Sequence, residues 1–343
     1  MIACRKAQFG RGDPVRRFDA GQVDTRVWQV AGRGAILGSR VRAVDERFTS
    51  VGDVELCYET FGDPGDPAML LIMGLGTQMM GWHEDFCREL VDRGFFVIRY
   101  DNRDSGRSTH LESVRPPTPG QMLLRRIPNP AYTLTDMAND AAGLLDALGI
   151  EAAHVVGASM GGMIAQTLAA RHPGRVLSLT SIMSNTGSRW SGQTALRLWP
   201  VFLRRPKAGK DAFVERIVKV FEAIGSPGFA TDHEWLREMA GLSFDRGASQ
   251  ASTARQLAGI LASGNRTAEL RRITAPTLVI HGKADRLVRR SGGRATARAI
   301  PGARLLLIEG MGHDLPRGAW PRIIDAVVET AARAERRDTA RAA

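Results

Sequence analysis

Short apolar runs that alternate with helix-like segments constrain the fold of this chain more than any other feature of its sequence. The runs are Ala68–Met73, Phe95–Tyr100, Ala153–Ala158, Val176–Met183, Thr277–His281 and Arg304–Glu309. Ahead of them, Phe48–Val51 and Val54–Phe61 alternate in polarity on either side of Gly52-Asp53, which predicts a β-hairpin. Continuous apolar strands that alternate with helices predict an α/β fold, with a mostly parallel, doubly wound sheet covered by helices on both faces.

The alternation breaks between residues 186 and 268, where only helical segments occur. These segments are Ala212–Ile224, His233–Leu242 and Ala254–Ser263. A helical block between two strands of a parallel sheet predicts a cap inserted above the carboxyl edge of that sheet. We expect an α/β core over residues 46–185 and 269–335, a helical cap over 186–268, a poorly structured basic extension over 1–45 and a tail over 336–343. The last core helix is expected to run from Trp320 to about Ala334.

The net charge of +11 is concentrated at the ends of the chain. Residues 1–47 carry a net charge of +5 and residues 331–343 a net charge of +2, which leaves +4 for the long body between them. No basic stripe with interleaved aromatic residues is visible. We therefore expect no nucleic-acid partner.

Hydropathy and cysteine content predict a cytoplasmic protein. No apolar run approaches the ~18 residues that a membrane span requires, so we expect no stable membrane insertion. The basic N-terminus is followed by no apolar segment of the kind found in signal peptides. The three cysteines, Cys4, Cys57 and Cys87, are few and odd in number, which favours free thiols in a reducing compartment.

The strongest chemical signal is Gly157-Ala158-Ser159-Met160-Gly161, a G-x-S-x-G motif. It lies directly after a predicted strand and directly before a predicted helix, which is the context that a nucleophile elbow requires. The small residues at its ends relieve crowding in a sharp turn, and the helix N-terminus favours developing negative charge. The motif therefore predicts Ser159 as a nucleophile.

A serine nucleophile needs a base and a carboxylate, which in such sheets follow in the chain order serine, acid, histidine. Asp285 lies in the loop after the strand that ends at His281, and His313 lies in the loop after the strand that ends at Glu309. Both loops belong to the sheet edge that carries Ser159, so we predict Asp285, His313 and Ser159 as a catalytic triad. Asp314 is a poor alternative to Asp285, because adjacent side chains do not easily form the required contact to Nδ1.

The turn Met73-Gly74-Leu75-Gly76 is expected to supply an oxyanion donor. We predict the backbone amides of Leu75 and Met160 as the pair of donors, with Gly74 or Gly76 as alternatives to Leu75. The sequence from Gly74 onward has Met79 where a dinucleotide-binding G-x-G-x-x-G motif has its third glycine, so no nucleotide cofactor is expected. No H-E-x-x-H spacing and no cysteine cluster occurs, so no metal site is expected.

Gly74 and several large apolar side chains are predicted to form a substrate pocket near this site. Ordinary core packing is the alternative explanation for them. The predicted pocket residues are Gly74, Met79, Met80, Trp190, Trp199 and Phe202, with Leu198 and Val201 in the same segment as the two tryptophans.

The stretch Asp101–Ser108 resembles the D-x-R-G-x-G-x-S loop of the α/β-hydrolase superfamily. Together with the motifs above, it makes residues 48–330 similar to bacterial carboxylesterase-like members. Asp104 replaces the common glycine of that loop, and Met73-Gly74 stands where many members have His-Gly; both departures resemble the aclacinomycin methylesterase subgroup. The resemblance implies hydrolysis of a small-molecule ester without a metal or organic cofactor.

Other functions stay open at this point. C–C bond hydrolases, perhydrolases and acyltransferases use the same triad, so the fold does not separate them from esterases. A ligand-binding receptor that retained the hydrolase shell, and a binder of nucleic acid or anionic membranes acting through the basic ends, are alternatives from other classes. The sequence indicates neither the substrate nor the oligomeric state.

Overall fold

The computed structural model describes residues 45–195, residue 198 and residues 208–342. The predicted extension therefore lies almost wholly outside the described residues. Trp199, Val201 and Phe202 also lie outside them.

The described residues form a mostly parallel sheet of eight strands. The strands are β1 Arg47–Val51, β2 Val54–Phe61, β3 Ala68–Ile72, β4 Phe96–Tyr100, β5 Ala153–Ala158, β6 Val176–Ile182, β7 Thr277–Gly282 and β8 Arg304–Ile308. Their spatial order is β1-β2-β4-β3-β5-β6-β7-β8, with β1 and β2 antiparallel to their neighbours and all later pairs parallel. The predicted hairpin turns at Gly52, whose φ of 59° is a conformation that glycine adopts without strain.

Ten α-helices accompany these strands in the described part of the chain. They are α1 Glu84–Val91, α2 Pro119–Leu123, α3 Leu134–Ala147, α4 Met160–Arg171, α5 Lys210–Ile224, α6 His233–Asp245, α7 Gln250–Ser263, α8 Thr267–Leu270, α9 Ser291–Ala299 and α10 Trp320–Ala342. Helix α10 continues well beyond the predicted end near Ala334. None of the described helices combines the length and the apolar content needed to cross a membrane.

The sheet is buried on both faces, which explains the continuous apolar runs in the sequence. Every residue of β3, β4 and β5 is buried. One apolar cluster packs α3 and α4 against the sheet, and a second cluster packs α1 and α10 against it. The doubly wound arrangement predicted from the sequence is therefore present.

The carboxyl edge of the sheet brings four loops together. In a parallel sheet the strand ends meet along one edge, so the loops after β3, β5, β7 and β8 are neighbours. These loops carry Gly74, Ser159, Asp285 and His313, respectively. Between β6 and β7 the chain runs through α5, α6, α7 and α8, and α5 and α6 share a small apolar cluster of their own.

Candidate active site

Ser159 occupies a sharp turn between β5 and α4. Its φ of 55° and ψ of −115° are unusual for a residue with a side chain, and strain of this kind concentrates at functional sites. A Cβ on Gly161 would lie 2.0 Å from the carbonyl oxygen of Ile72, and a Cβ on Gly157 would lie 2.2 Å from the carbonyl oxygen of Gly161. Both glycines of the motif are therefore required by backbone packing around the turn.

Three side chains from separate loops form a hydrogen-bonded chain. His313 Nδ1 lies 2.7 Å from Asp285 Oδ2, and His313 Nε2 lies 2.9 Å from Ser159 Oγ. Since an ionised carboxylate only accepts, Nδ1 carries the proton and donates it to Asp285. That leaves Nε2 as the acceptor for the hydroxyl of Ser159, which is the arrangement in which an imidazole removes a proton from a serine.

Asp285 is held as an anion by its surroundings. Its Oδ1 accepts hydrogen bonds from the backbone N–H groups of Leu287 and Val288, each at 2.9 Å. Burial acts to raise the pKa of Asp285, but the nearby His313 and hydrogen bonds from His281 and His313 outweigh it and lower the pKa from 3.8 to about 2. Asp285 therefore stays ionised to a lower pH than a free aspartate does.

Asp314 makes a different set of contacts. Its carboxylate accepts a hydrogen bond from the Ser226 hydroxyl, and the same hydroxyl accepts from the N–H of Gly312 at 2.8 Å. Burial raises the pKa of Asp314. The carboxylate next to His313 in the sequence is thus bonded away from Nδ1, while the more distant Asp285 makes that contact.

The turn after β3 lies against Ser159. A Cβ on Gly74 would lie 3.1 Å from Ser159 Cβ, which is closer than such contacts usually are. The backbone at Gly74 therefore passes directly beside the serine. Met160 is the first residue of α4, and its N–H has no carbonyl within the helix to bind. Leu75 and Met160, the two predicted donors, both line the cavity that contains Ser159.

A cavity of about 1000 Å³ reaches Ser159 and His313. Its volume is at the upper end of the ~300–1,000 Å³ typical of small-molecule sites. Apolar side chains from the core and from the helices between β6 and β7 form most of its wall, among them Leu75, Trp82, Met160, Met183, Phe213, Ile217, Trp235, Leu257 and Ile260. Asn185, Gln193, Asp232 and Arg317 add polar groups.

The predicted pocket residues divide into three groups. Gly74 lines the cavity, and Trp190 also borders it, although 95% of its surface is exposed, as at a rim. Met79 and Met80 are not part of the cavity wall. The N–H of Met79 donates to Asp101 Oδ1 at 2.7 Å, and its side chain is fully buried; Met80 packs against the apolar cluster of α5 and α6. Trp199 and Phe202 lie outside the described residues.

Two sets of residues around the site were not predicted from the sequence. His281 Nε2 donates to the carbonyl of Val288 at 2.7 Å and lies 3.4 Å from Asp285 Oδ2. On α7, Arg255 and Gln256 are buried and reach the loops after β4 and β3. The sequence did contain a signal for Arg255 and Gln256, because they are two adjacent polar residues on the side of a helix that faces the protein. Buried polar groups need hydrogen-bond partners, so such a pair indicates contacts with neighbouring loops. Among the described residues, no group of His, Cys, Asp or Glu has an arrangement suited to a metal ion.

Comparison with known proteins gives consistent matches over most of the chain. The family described as alpha/beta hydrolase fold matches residues 67–316. Rhodomycin D methylesterase DnrP of Streptomyces peucetius is 31% identical over 289 residues, which cover 79% of this chain and 92% of the relative. 3-Oxoadipate enol-lactonase 2 of Acinetobacter baylyi is 27% identical over 257 residues, which cover 75% of this chain and 86% of the relative. A hydrolase of Pseudomonas aeruginosa, known from its crystal structure, is 25% identical, with a TM-score of 0.62 over 84% of this chain and 98% of that chain.

Proposed function

The chain belongs to the α/β-hydrolase fold family, and on that premise we propose that it is a serine hydrolase that cleaves carboxylic esters through a covalent acyl-enzyme. The family assignment confirms the resemblance drawn from the Asp101–Ser108 loop and the elbow motif. Relatives named methylesterase and enol-lactonase support an enzyme that hydrolyses esters. The observation that carries the mechanism is the hydrogen-bonded chain from Ser159 Oγ through His313 to Asp285.

The reaction begins when His313 Nε2 removes the proton of the Ser159 hydroxyl as Oγ attacks the ester carbonyl carbon. The carbonyl oxygen becomes an oxyanion, which the N–H groups of Leu75 and Met160 stabilise. When the tetrahedral intermediate collapses, the bond from carbon to the alkoxy oxygen breaks, and the alcohol leaves with the proton from His313.

Water then cleaves the acyl-enzyme by the same route. His313 takes one proton from the water, whose oxygen attacks the acyl carbon. The second collapse releases the carboxylic acid and returns the proton to Ser159 Oγ. Throughout, the anionic Asp285 fixes the imidazole tautomer and stabilises the imidazolium that forms twice in each cycle.

We propose that the substrate is an ester of a large, mainly apolar acid with a small alcohol. A volume of about 1000 Å³ with a largely apolar wall exceeds what a short acyl chain would fill. The methylesterase named for rhodomycin D supports a methyl ester. A lactone, which is a cyclic ester, is cleaved by the same chemistry, and the enol-lactonase relative gives that case a specific basis.

We further propose that residues 186–268 form the cap that sets substrate preference. Helices α5, α6 and α7 contribute Phe213, Trp235 and Leu257 to the cavity wall, which supports this role. Cytoplasmic location is part of the proposal, in keeping with the free, buried thiols Cys57 and Cys87.

A turnover panel tests the function directly. It comprises aryl esters from acetate to palmitate, a polycyclic aromatic methyl ester and a lactone, each assayed with the wild type and with Ser159→Ala. We expect the wild type to turn over at least one ester class and Ser159→Ala to turn over none above the background rate. Wild-type rates no higher than those of Ser159→Ala on every substrate would contradict the proposal. Adding an acceptor alcohol or hydrogen peroxide distinguishes hydrolysis from acyl transfer or perhydrolysis, because either alternative diverts the acyl group from water.

A further inference from the structure

The turn after β3 carries three consecutive backbone N–H groups with different partners. The N–H of Thr77 donates to the carbonyl of Gly74 at 3.2 Å. The N–H of Gly76 donates to the side-chain oxygen Oε1 of Gln256 at 2.9 Å. Within the described part of the chain, no group accepts a hydrogen bond from the N–H of Leu75. Two of the three donors are thus engaged, and Leu75 supplies the one that a substrate in the cavity can use.

Gln256 is fixed in one orientation by what surrounds it. It is fully buried on α7, and its Nε2 donates to the carbonyl of Arg103 at 3.0 Å. Because the Gly76 N–H can only donate and the Arg103 carbonyl can only accept, the amide of Gln256 fits these two groups in a single direction. The side chain therefore connects the turn after β3 with the loop after β4.

Helix α7 itself is held firmly against both loops. Arg255 forms two short hydrogen bonds with Asp104, from Nε to Oδ2 at 2.8 Å and from Nη2 to Oδ1 at 2.6 Å. A Cβ on Gly76 would lie 2.9 Å from Oγ1 of Thr253, so the helix touches the turn directly. The acceptor for the Gly76 N–H is thus part of a rigid element.

We propose that Gln256 is a positioning residue for the turn Met73–Gly76, which we call the oxyanion turn. It holds this turn in the form in which the N–H of Leu75 can bind an oxyanion, an inference that rests on the proposed serine-hydrolase function. Gly76 is an exposed residue, so without this acceptor its N–H turns towards water, and the peptide between Leu75 and Gly76 is then free to rotate. Gly76, which has no side chain and a φ of 64°, permits that rotation. The neighbouring amide of Leu75 then loses the fixed direction that an oxyanion donor needs.

The same helix also contacts the substrate cavity. Ala254, Leu257 and Ile260 of α7 line the wall, on either side of Gln256 in the sequence. Helix α7 therefore connects the substrate wall to the oxyanion turn. We expect α7 to help select the substrate. The same helix also positions the N–H of Leu75, which binds the carbonyl oxygen of the substrate.

The test compares variants of Gln256 with a matched control on the same helix. Gln256→Leu removes both hydrogen bonds at similar size, whereas Gln256→Glu, protonated in this buried position, can still accept from Gly76 and donate to Arg103. Ser263→Ala removes a different anchor of α7, because Ser263 Oγ accepts from the N–H of Leu134 at 2.9 Å away from the turn. The measurements are kcat and KM for the best ester, the rate of Ser159 labelling by an alkyl fluorophosphonate, and Tm.

We expect Gln256→Leu to lower kcat and the labelling rate by roughly 10- to 100-fold, which is less than the 10²- to 10³-fold typical of a deleted donor. KM should stay within about threefold, since the lost interaction belongs to the transition state. Gln256→Glu should retain most of the rate, and Ser263→Ala should lower Tm without lowering kcat.

A folded Gln256→Leu with kcat and labelling within about threefold of the wild type would overturn the proposal, as would a loss no larger than that of Ser263→Ala. If Gln256→Leu does not fold, Gln256→Asn carries the same criteria, because its amide is one methylene too short to reach Gly76. A wild type that is labelled but turns over no ester refutes the ester function, while the labelling rates still decide the role of Gln256. A wild type that is not labelled at all refutes both.

Discussion

Replacing Asp285 with asparagine tests the triad at the point where the structure makes the sharpest prediction. The two carboxylate oxygens have different partners: Oδ1 accepts from the N–H groups of Leu287 and Val288, and Oδ2 accepts from His313. An asparagine has only one oxygen to accept with. Two fixed backbone donors require that oxygen, so the new NH₂ group will face His313 Nδ1.

A donor facing Nδ1 reverses the tautomer of His313. The imidazole then carries its proton on Nε2, which lies 2.9 Å from Ser159 Oγ and can no longer accept the hydroxyl proton. The geometry of the site is preserved, but the base is lost. From the behaviour of this substitution in serine-protease triads, we expect kcat to fall by about 10⁴-fold with little change in KM.

The assay is the steady-state rate on the best ester, measured together with the rate of the first alcohol release, for Asp285→Asn and for the matched control Asp314→Asn. The control removes a neighbouring carboxylate that contacts Ser226 rather than His313. It should keep kcat within a few-fold of the wild type. An Asp285→Asn variant close to wild-type activity, or an inactive but folded Asp314→Asn, would refute the assignment of the acid.

Four further outcomes are expected. Ser159→Ala should lower kcat by roughly 10⁴-fold or more with Tm nearly unchanged, and a variant that keeps a tenth of the activity would exclude this serine. The pKa of Asp285 is lowered from 3.8 to about 2, which stabilises the folded state by about 2 kcal/mol above pH ~4. This stabilisation is lost as the pH falls towards 2, so in Asp285→Asn the free energy of unfolding should depend less on pH between these values. Deletion of residues 1–40 should leave Tm and kcat nearly unchanged, and a large drop in Tm would show that the segment packs on the core. Replacing Trp199 or Phe202 with alanine should change the ratio of kcat/KM between short and long esters by a factor equivalent to about 1–3 kcal/mol. If the ratio stays constant while Tm falls, these side chains belong to the interior of the cap.

The sheet and the reactive loops were predictable because local sequence determines them. Buried parallel strands must be apolar throughout, so the runs in the sequence correspond closely to the strands in the structure. The elbow requires glycine where the backbone of α4 meets β3, because a Cβ on Gly161 would lie 2.0 Å from the carbonyl oxygen of Ile72 and no larger residue fits. The chain order of a triad then predicted Asp285 and His313 from their places at strand ends, and in the structure His313 contacts both Asp285 and Ser159.

The pocket was less predictable, because its wall depends on how distant segments pack. Met79 and Met80 lie close to the turn after β3 in the sequence, yet neither lines the cavity, whereas Thr77 and Gly81 on either side of them do. The N–H of Met79 instead donates to Asp101. Phe213 and Trp235, which line the wall, occur in helices whose sequences show only that one side is apolar. Sequence periodicity shows that a side chain is buried but not which neighbour buries it.

Asp104 illustrates how a departure from a family motif acquires meaning only in three dimensions. The position has a φ of 62°, which accounts for the glycine usual in the resembling loops, and aspartate is among the few other residues that tolerate it. Its carboxylate accepts from Arg255 and, at 2.8 Å, from the hydroxyl of Tyr132. Burial acts to raise the pKa of Asp104, but these hydrogen bonds outweigh it and lower the pKa, so the pair with Arg255 stays ionic. A glycine here would leave Arg255 without its carboxylate partner, with the Val114 carbonyl and the Ser252 hydroxyl as its remaining acceptors. Arg255 is directly beside Gln256, which bonds to the turn after β3. The substitution at position 104 and the polar side of α7 therefore belong to one arrangement, although 151 residues separate Asp104 from Arg255.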